Sequence, residues 1–369
     1  MDGNKVKKIM FSGGGTGGSV VPLLAVAEKM AAERIDFELK FVFVGAAGGI
    51  ENDLVAEYNG KFGAMEFIPL SAGKLRRYFS WQNFWDMFKI VGAFFQSLRI
   101  LSAEKPDIVI SAGSFISVPL VWAAAWKKIP ILIHQQDVRP GLANKLMAPF
   151  ARVITVVFEK SLTDYGSRAV WTGNPFKSRA ESYFHNGDIR SKYGFDVFRP
   201  LVLVIGGSSG ATAINKLFFE AGDRLVSFCQ IIHITGKGKI TPDRKELPGY
   251  KVFEFLDNEE FLKLMVAADL VVSRCGLAAL TELSSLAKPA ILIPMPDSHQ
   301  EDNAKIFDKA AAASVLDQKE LNPEKLTAEI KRVLDDSILR GKFSDNIAKV
   351  VKRGAAENLA MIIEEIIGK

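Results

Sequence analysis

Two stretches of this chain place glycines where an apolar run ends and a helical pattern begins. Gly13-Gly14-Gly15-Thr16-Gly17-Gly18 follows Ile9-Met10-Phe11, and Gly206-Gly207-Ser208-Ser209-Gly210 follows Val202-Leu203-Val204-Ile205. A glycine-rich strand-to-helix turn lets backbone N–H groups approach phosphate oxygens, and the helix N-terminus adds a positive dipole. The chemistry served is recognition of a phosphate ester. Gly13, Gly15 and Gly18 satisfy G-x-G-x-x-G, the dinucleotide pattern, but that pattern also wants an acidic residue closing the second strand. Here Phe41–Gly45 runs into Ala46-Ala47-Gly48-Gly49, with Glu51 several residues beyond. Gly18 is followed by Ser19 and Val20, so a P-loop lysine is missing as well. The bland reading is that the glycines only permit close packing of helix on strand.

A second constellation lies further along. Arg274-Cys275-Gly276-Leu277-Ala278-Ala279-Leu280-Thr281-Glu282 follows the apolar run Leu270–Ser273. Gly276 would let the next helix start close to a ligand. Glu282 falls about two turns into that helix, among apolar neighbours, where a carboxylate can accept two hydrogen bonds from a ribose diol. The alternative is a solvated carboxylate complementing the helix dipole. Downstream, His299, Gln300 and Asn303 sit on a loop entering a helix after Ala290–Pro294. Amides at the carboxyl end of a parallel sheet suit the reading of sugar hydroxyls. His299 equally suits a first-turn position without a ligand. No Asp-x-Asp pair follows a strand, and Asp297, Glu301 and Asp302 lack convergent spacing. Neither metal nor cofactor is expected.

The elements that must hold these residues alternate from end to end. Lys8–Ser12, Phe41–Gly45, Asp107–Ser111, Ile131–His134 and Val153–Val157 are too apolar for a sheet with one wet face. Leu201–Gly206, Gln230–Thr235, Tyr250–Phe255, Leu270–Ser273, Ala290–Pro294 and Ala313–Leu316 form a second set. Helical patterns between them imply βαβ units, hence an α/β fold of two Rossmann-like, parallel-sheet halves. The join is expected near Gly173-Asn174-Pro175-Phe176, giving domains 1–176 and 177–345 with a closing helix over 346–369. The 369 residues suffice for two cores, and 48% hydrophobic content excludes disorder. Two cysteines exclude a disulfide scaffold and suit buried thiols in a reducing cytoplasm. The net charge of +5, from 47 basic and 42 acidic residues, favours anionic partners without choosing among them. The sequence shows no transmembrane span, since the longest apolar stretch, Phe115–Trp126, is broken by Pro119, and no signal peptide.

The ordered set of motifs resembles one family. Gly13-Gly14-Gly15-Thr16-Gly17-Gly18 with Pro22, His134-Gln135-Gln136-Asp137 through Lys145, Gly173-Asn174-Pro175, Gly206-Gly207-Ser208-Ser209-Gly210, Gly236-Lys237-Gly238, Arg274–Glu282 and His299–Ala304 are similar to those of the MurG family of peptidoglycan N-acetylglucosaminyltransferases. The resemblance runs from the first strand to about residue 320. It implies a GT-B architecture, two domains facing a cleft, with the last helix crossing back to the first. It implies transfer of GlcNAc, with inversion, from UDP-GlcNAc to the C4 hydroxyl of MurNAc in undecaprenyl-pyrophosphoryl-MurNAc-pentapeptide (lipid I), giving lipid II. By that resemblance Ser208 meets the donor diphosphate or ribose, and Leu256 meets uracil through its backbone. Leu277, Ala278, Ala279, Leu280 and Thr281 line the phosphate turn, Glu282 holds the ribose, and Gln300 contacts the GlcNAc. Thr16, Gly17 and Gly18 face the reacting end from the first domain.

Three positions depart from the family pattern. Ser19 stands where the first loop usually ends in histidine. Asp137 replaces an amide beside the donor sugar, and Lys177 replaces arginine after Gly-Asn-Pro. A serine does not act unaided as a base at neutral pH, whereas a carboxylate raised by burial does. Asp137 is therefore a candidate for part of the base or oxocarbenium-stabilising role, with Ser19 positioning. The alternative makes Asp137 a turn residue ahead of Pro140-Gly141.

Between residues 74 and 88, Lys74, Arg76 and Arg77 precede Tyr78, Phe79, Trp81, Phe84, Trp85 and Phe88. Cations beside aromatics suit a bilayer interface with anionic lipid. The same composition suits single-stranded nucleic acid or a helix buried on the sheet. Ile90, Phe94, Phe95 and Leu98 continue at helical spacing and are expected in the core. With a lipid-linked acceptor the expectation is peripheral attachment to the cytoplasmic face of the cell membrane and no nucleic-acid partner. Within enzymes the rival is another UDP-sugar transferase or an epimerase-like protein. Outside enzymes it is a weakly catalytic nucleotide-sugar-binding scaffold.

Overall fold

The computed structural model describes residues 6–33, 37–71, 81–176, 189–206, 212–240 and 246–368, with residues 81–88 by backbone alone. The chain divides into two compact units. Unit 1 comprises residues 1–177 and 352–369, and unit 2 comprises 178–351.

Unit 1 is built on seven strands: β1 (Val6–Ser12), β2 (Glu38–Ala46), β3 (Met65–Leu70), β4 (Ile108–Ser111), β5 (Ile131–Gln135), β6 (Val153–Val156) and β7 (Ala169–Trp171). All pair in parallel, in the order β3-β2-β1-β4-β5-β6-β7. The two-residue period of the strands sends Ile9, Phe11, Phe41 and Phe43 to one face and Met10, Val42 and Val44 to the other. Each face is covered by helices, which is why these strands read as continuous apolar runs. The edge strands β3 and β7 were not legible in the sequence. Met65–Leu70 is buried only at its two ends and carries Pro69, a residue an edge tolerates. Ala169–Trp171 spans three residues, none fully buried.

The helix Ala355–Gly368 belongs to unit 1. Leu359, Ala360, Ile363, Ile366 and Ile367 enter the same cluster as Ile9, Phe11 and Leu23, and Lys29 pairs with Glu357 at 3.0 Å. The preceding helix, Ser337–Val350, stays with unit 2, so the chain returns at Lys352 rather than at residue 346. Lys352 Nζ donates to the Trp171 carbonyl at 3.0 Å. Gly173, at φ 83°, lies against Lys352, and a Cβ there would stand 2.0 Å from the Lys352 oxygen.

Unit 2 has six parallel strands: β8 (Leu201–Ile205), β9 (Gln230–Ile234), β10 (Tyr250–Phe253), β11 (Leu270–Ser273), β12 (Ala290–Leu292) and β13 (Ser314–Val315). Their order is β10-β9-β8-β11-β12-β13. The strand order reverses between β1 and β4 in unit 1 and between β8 and β11 in unit 2. Loops at the carboxyl ends beside such a switch point have no crossover helix above them, which leaves room for a ligand.

Candidate active site

In unit 2 the site residues gather where β11 and β12 end. Gly276 caps the helix Leu277–Ser285 with φ −71° and ψ 142°, and no side chain caps it. The first N–H groups of that helix have no carbonyl one turn back to receive them, so Leu277, Ala278 and Ala279 offer a set of backbone donors. Leu280 is fully buried and Thr281 nearly so, its Oγ1 donating to the Leu277 carbonyl at 2.8 Å. Their side chains belong to the core, and only the first three residues of the run present a surface.

The Glu282 carboxyl group has no hydrogen-bond partner among the described residues. Desolvation pushes its carboxyl up to about 8. Its accessible surface is intermediate, and burial of the carboxyl group among its neighbours is the cause of the shift. Gln300 laces the two loops together: its Oε1 accepts from Cys275 N at 3.2 Å and Met295 N at 3.1 Å. Asn303 Nδ2 donates to the Cys275 carbonyl at 3.2 Å. Arg274 donates to the carbonyls of Ile293 and Pro294, both at 3.0 Å, so its charge braces the end of β12. His299 is exposed at the start of the helix His299–Lys309, whose N-cap Ser298 accepts from Gln300 N.

Leu256 lies beyond β10, half-buried, and neither its N–H nor its carbonyl has a partner among the described residues. Next to it Phe255 is 66% exposed, with Lys237 Nζ 5.2 Å from its ring centroid. Glu254 Oε1 accepts from Gly238 N at 2.9 Å and ties the Gly236–Gly238 turn to this edge. Ser208 and Lys177 lie outside the described residues.

In unit 1 the first glycine loop is stapled from within. Ser19 is 6% exposed; its Oγ accepts from Gly14 N and reaches the Gly14 carbonyl, both at 3.0 Å. A Cβ on Gly13 would stand 2.4 Å from the Ser19 carbonyl oxygen, so that position has no room for a side chain. The Ser19 hydroxyl is thus engaged in the loop's own backbone, while Thr16 and Gly18 are exposed and Gly17 half-exposed.

The loop after β5 lies against this one. Gln136 Nε2 donates to the Gly18 carbonyl at 2.5 Å, and Gln135 Nε2 donates to the Asp137 carbonyl at 2.6 Å. Gln135 Oε1 in turn accepts from the Tyr165 hydroxyl at 3.2 Å and from Asn144 Nδ2. Asp137 is half-buried and held on the same edge as Thr16–Ser19. His134 is a core residue: fully buried, it meets Thr155 Oγ1 at 2.9 Å and Asn174 Oδ1 at 3.3 Å. Burial lowers its pKa to about 4, so the ring is neutral at physiological pH.

Lys74, Arg76 and Arg77 lie outside the described residues. Trp81 and Trp85 open the helix Trp81–Glu104, where only the backbone is described. Phe95 departs from its expected core position and is 58% exposed. The buried stripe of that helix is Ala93, Ser97 and Leu101; the small Ala93 and Ser97 let it approach the helix Ser117–Trp126, with Phe94 and Leu98 flanking. Val91 is 51% and Trp126 77% exposed. Nothing in the sequence marks a role for Gln136, which joins the two loops of unit 1, or for Trp126. A glutamine in a turn and a tryptophan closing an apolar helix give no signal until their surroundings are known. Among the described residues no three His, Cys, Asp or Glu side chains converge on a common point.

Two parallel sheets of this order, each with its glycine turns at the carboxyl ends, are the architecture of the GT-B glycosyltransferases. The sequence profile of the glycosyltransferase family 28 N-terminal domain matches residues 9–156, and that of its C-terminal domain matches residues 201–359. The chain belongs to glycosyltransferase family 28 and, within it, to the MurG family. It is 36% identical over 365 residues to the UDP-N-acetylglucosamine--N-acetylmuramyl-(pentapeptide) pyrophosphoryl-undecaprenol N-acetylglucosamine transferase of Clostridium botulinum, covering 98% of this chain and 99% of that one. Identity to the enzyme of the same name from Geobacillus kaustophilus is also 36%, covering 97% and 98%. The crystal structure of Acinetobacter baumannii MurG superposes with a TM-score of 0.76 at 24% identity, covering 97% of this chain and 99% of that chain.

Proposed function

We propose that this chain transfers N-acetylglucosamine from UDP-GlcNAc to the C4 hydroxyl of the MurNAc unit of lipid I, with inversion, giving lipid II. The observation that carries the reading is the pairing, on one helix after β11, of uncapped N–H groups with a desolvated carboxyl group that has no partner among the described residues. The N–H groups of Leu277–Ala279 suit the donor diphosphate, and Glu282 suits the ribose diol. Leu256 offers a free N–H and carbonyl to the uracil edge. Gln300 Nε2 is left for the sugar, because its oxygen is engaged by the two loops.

Unit 1 takes the acceptor in this reading, with Thr16–Gly18 along its sugar and Asp137 as the base. The C4 hydroxyl proton passes to the Asp137 carboxylate as the O4–C1 bond forms. The bond from C1 to the phosphate oxygen breaks on the opposite face, and its electron pair leaves with UDP. The developing charge meets the helix donors, which act where charge appears rather than in the ground state.

The acceptor's lipid places the reaction at a membrane, and peripheral attachment to its cytoplasmic face is part of the proposal. Exposed Val91, Phe95 and Trp126, with exposed Lys127 and Lys128 beside the last, support a surface suited to anionic lipid headgroups. No helix among the described residues is long and apolar enough to cross a membrane.

UDP release from UDP-GlcNAc, measured with and without a lipid I analogue, tests the function. Acceptor-dependent release is expected. Binding without turnover would point to a scaffold, and release only with another acceptor to a different transferase.

A further inference from the structure

Glu51 lies outside every role assigned above. It stands in the first turn of the helix Ile50–Phe62, and its side chain is fully buried. Oε1 accepts the Ala46 N–H at 2.7 Å. Oε2 is buried with no hydrogen-bond partner among the described residues. A carboxylate oxygen left unpaired in the interior is unfavourable, so a folded chain retains one only where the geometry around it demands the group.

Three glycines close round this carboxylate. A Cβ on Gly14 would stand 2.4 Å from Oε1, and one on Gly49 within 2.6 Å of both oxygens. A Cβ on Gly45 would stand 2.5 Å from Cγ. Gly45 and Gly49 flank the turn after β2, whereas Gly14 belongs to the first glycine loop. That loop is therefore gripped on two sides: the Gly14 N–H is held by Ser19 Oγ, and its α-carbon rests on Glu51. The Ala46 N–H and the first turn of the helix Ile50–Phe62 hold the carboxyl group in place.

We propose that Glu51 is a positioning residue for the acceptor, the seat that sets where Thr16, Gly17 and Gly18 meet the acceptor sugar. It touches no substrate, and the proposal rests on the reading that unit 1 takes the acceptor. A shift of the seat moves the loop, and misplacing a substrate-binding segment by about an ångström costs catalysis far more than folding.

The test is steady-state kinetics of the whole chain with UDP-GlcNAc and a lipid I analogue, alongside calorimetric binding of UDP. Glu51→Gln keeps the shape and removes the charge; acceptor kcat/KM is expected to fall roughly tenfold or more, with UDP affinity and thermal midpoint close to wild type. A merely structural role would lower the midpoint and leave the acceptor KM alone. Gly14→Ala, which drives a methyl onto the carboxylate, should damage acceptor kinetics in the wild type and do little more in a Glu51→Ala background. Should Glu51→Gln fail to fold, Gly49→Ala decides by the same split between acceptor kinetics and UDP affinity. Wild-type acceptor kinetics in Glu51→Gln, an equal loss of UDP affinity, or an equal cost of Gly14→Ala in both backgrounds would overturn the proposal. Wild-type protein without acceptor-dependent turnover would instead overturn the functional reading.

Discussion

Glu282 gives the protein a pH dependence of defined sign. Its carboxyl ionises near 4.5 in an unfolded chain and near 8 in the folded one, because desolvation disfavours the charged form. Its contribution to stability is fully present below pH 4.5 and is lost as pH rises through 8. The ligand-free protein should therefore melt at progressively lower temperature across that window, and Glu282→Gln should flatten the trend. A ribose diol donating to the carboxylate favours its charged form, so UDP binding releases a proton. Affinity should rise with pH up to about 8, by at most about tenfold per pH unit. Calorimetry in buffers of different ionisation enthalpy counts that proton, and a count of zero at pH 7 would remove the ribose role. Asp137→Asn should cut turnover by roughly 10²-fold or more with donor binding unchanged, the usual scale for a lost general base. Full activity in that variant would end its assignment, and recovery in Ser19→His would place the proton at the neighbouring loop.

At the scale of elements, what matters is how loops are held rather than which residues they contain. The end of β11 and the end of β12 meet through the Gln300 side-chain oxygen, so Gln300→Leu would leave the Cys275 and Met295 N–H groups unpaired as well as removing a sugar contact. Both the KM for UDP-GlcNAc and kcat should worsen in that variant, whereas loss of a sugar contact alone would leave UDP affinity intact. The helix Ala355–Gly368 contributes five apolar side chains to the unit 1 core. Burying each large one stabilises by about 1.5–3 kcal/mol, so their sum rivals the whole stability of a domain. A chain ending at Gly354 should lose the cooperative melting of unit 1 by circular dichroism, and a retained wild-type transition would show the helix to be dispensable.

A lipid-linked acceptor requires the protein to meet a membrane. Trp81, Trp85 and Arg77 come from the sequence, whereas Trp126 comes from the structure, where it closes a helix packed on Trp81–Glu104. Sedimentation with anionic liposomes should carry the wild type down at low salt and less at high salt, since charge screening weakens lysine–headgroup attraction. Replacing Trp81, Trp85 and Trp126 by alanine together with Arg77→Glu should leave the protein in the supernatant while UDP still binds. Unchanged sedimentation would sink the membrane face.

The amino-acid sequence by itself determined the two parallel-sheet halves, the glycine turns and the run Arg274–Glu282. Buried parallel strands must be continuous apolar segments, and a loop that brings backbone close to a ligand must be glycine; both constraints are local and leave a local trace. Tertiary structure alone decided which polar groups are spent. His134 opens a family motif yet is a neutral core residue, and Ser19 staples its own loop. Glu51 looks misplaced for a ribose yet fills the space under Gly14. Edge strands β3 and β7 escaped because an edge need not be apolar, and Phe95 faces outward because the small residues Ala93 and Ser97 form the helix contact. Whether a side chain is free for a substrate depends on neighbours tens of residues away, and no spacing along the chain encodes that.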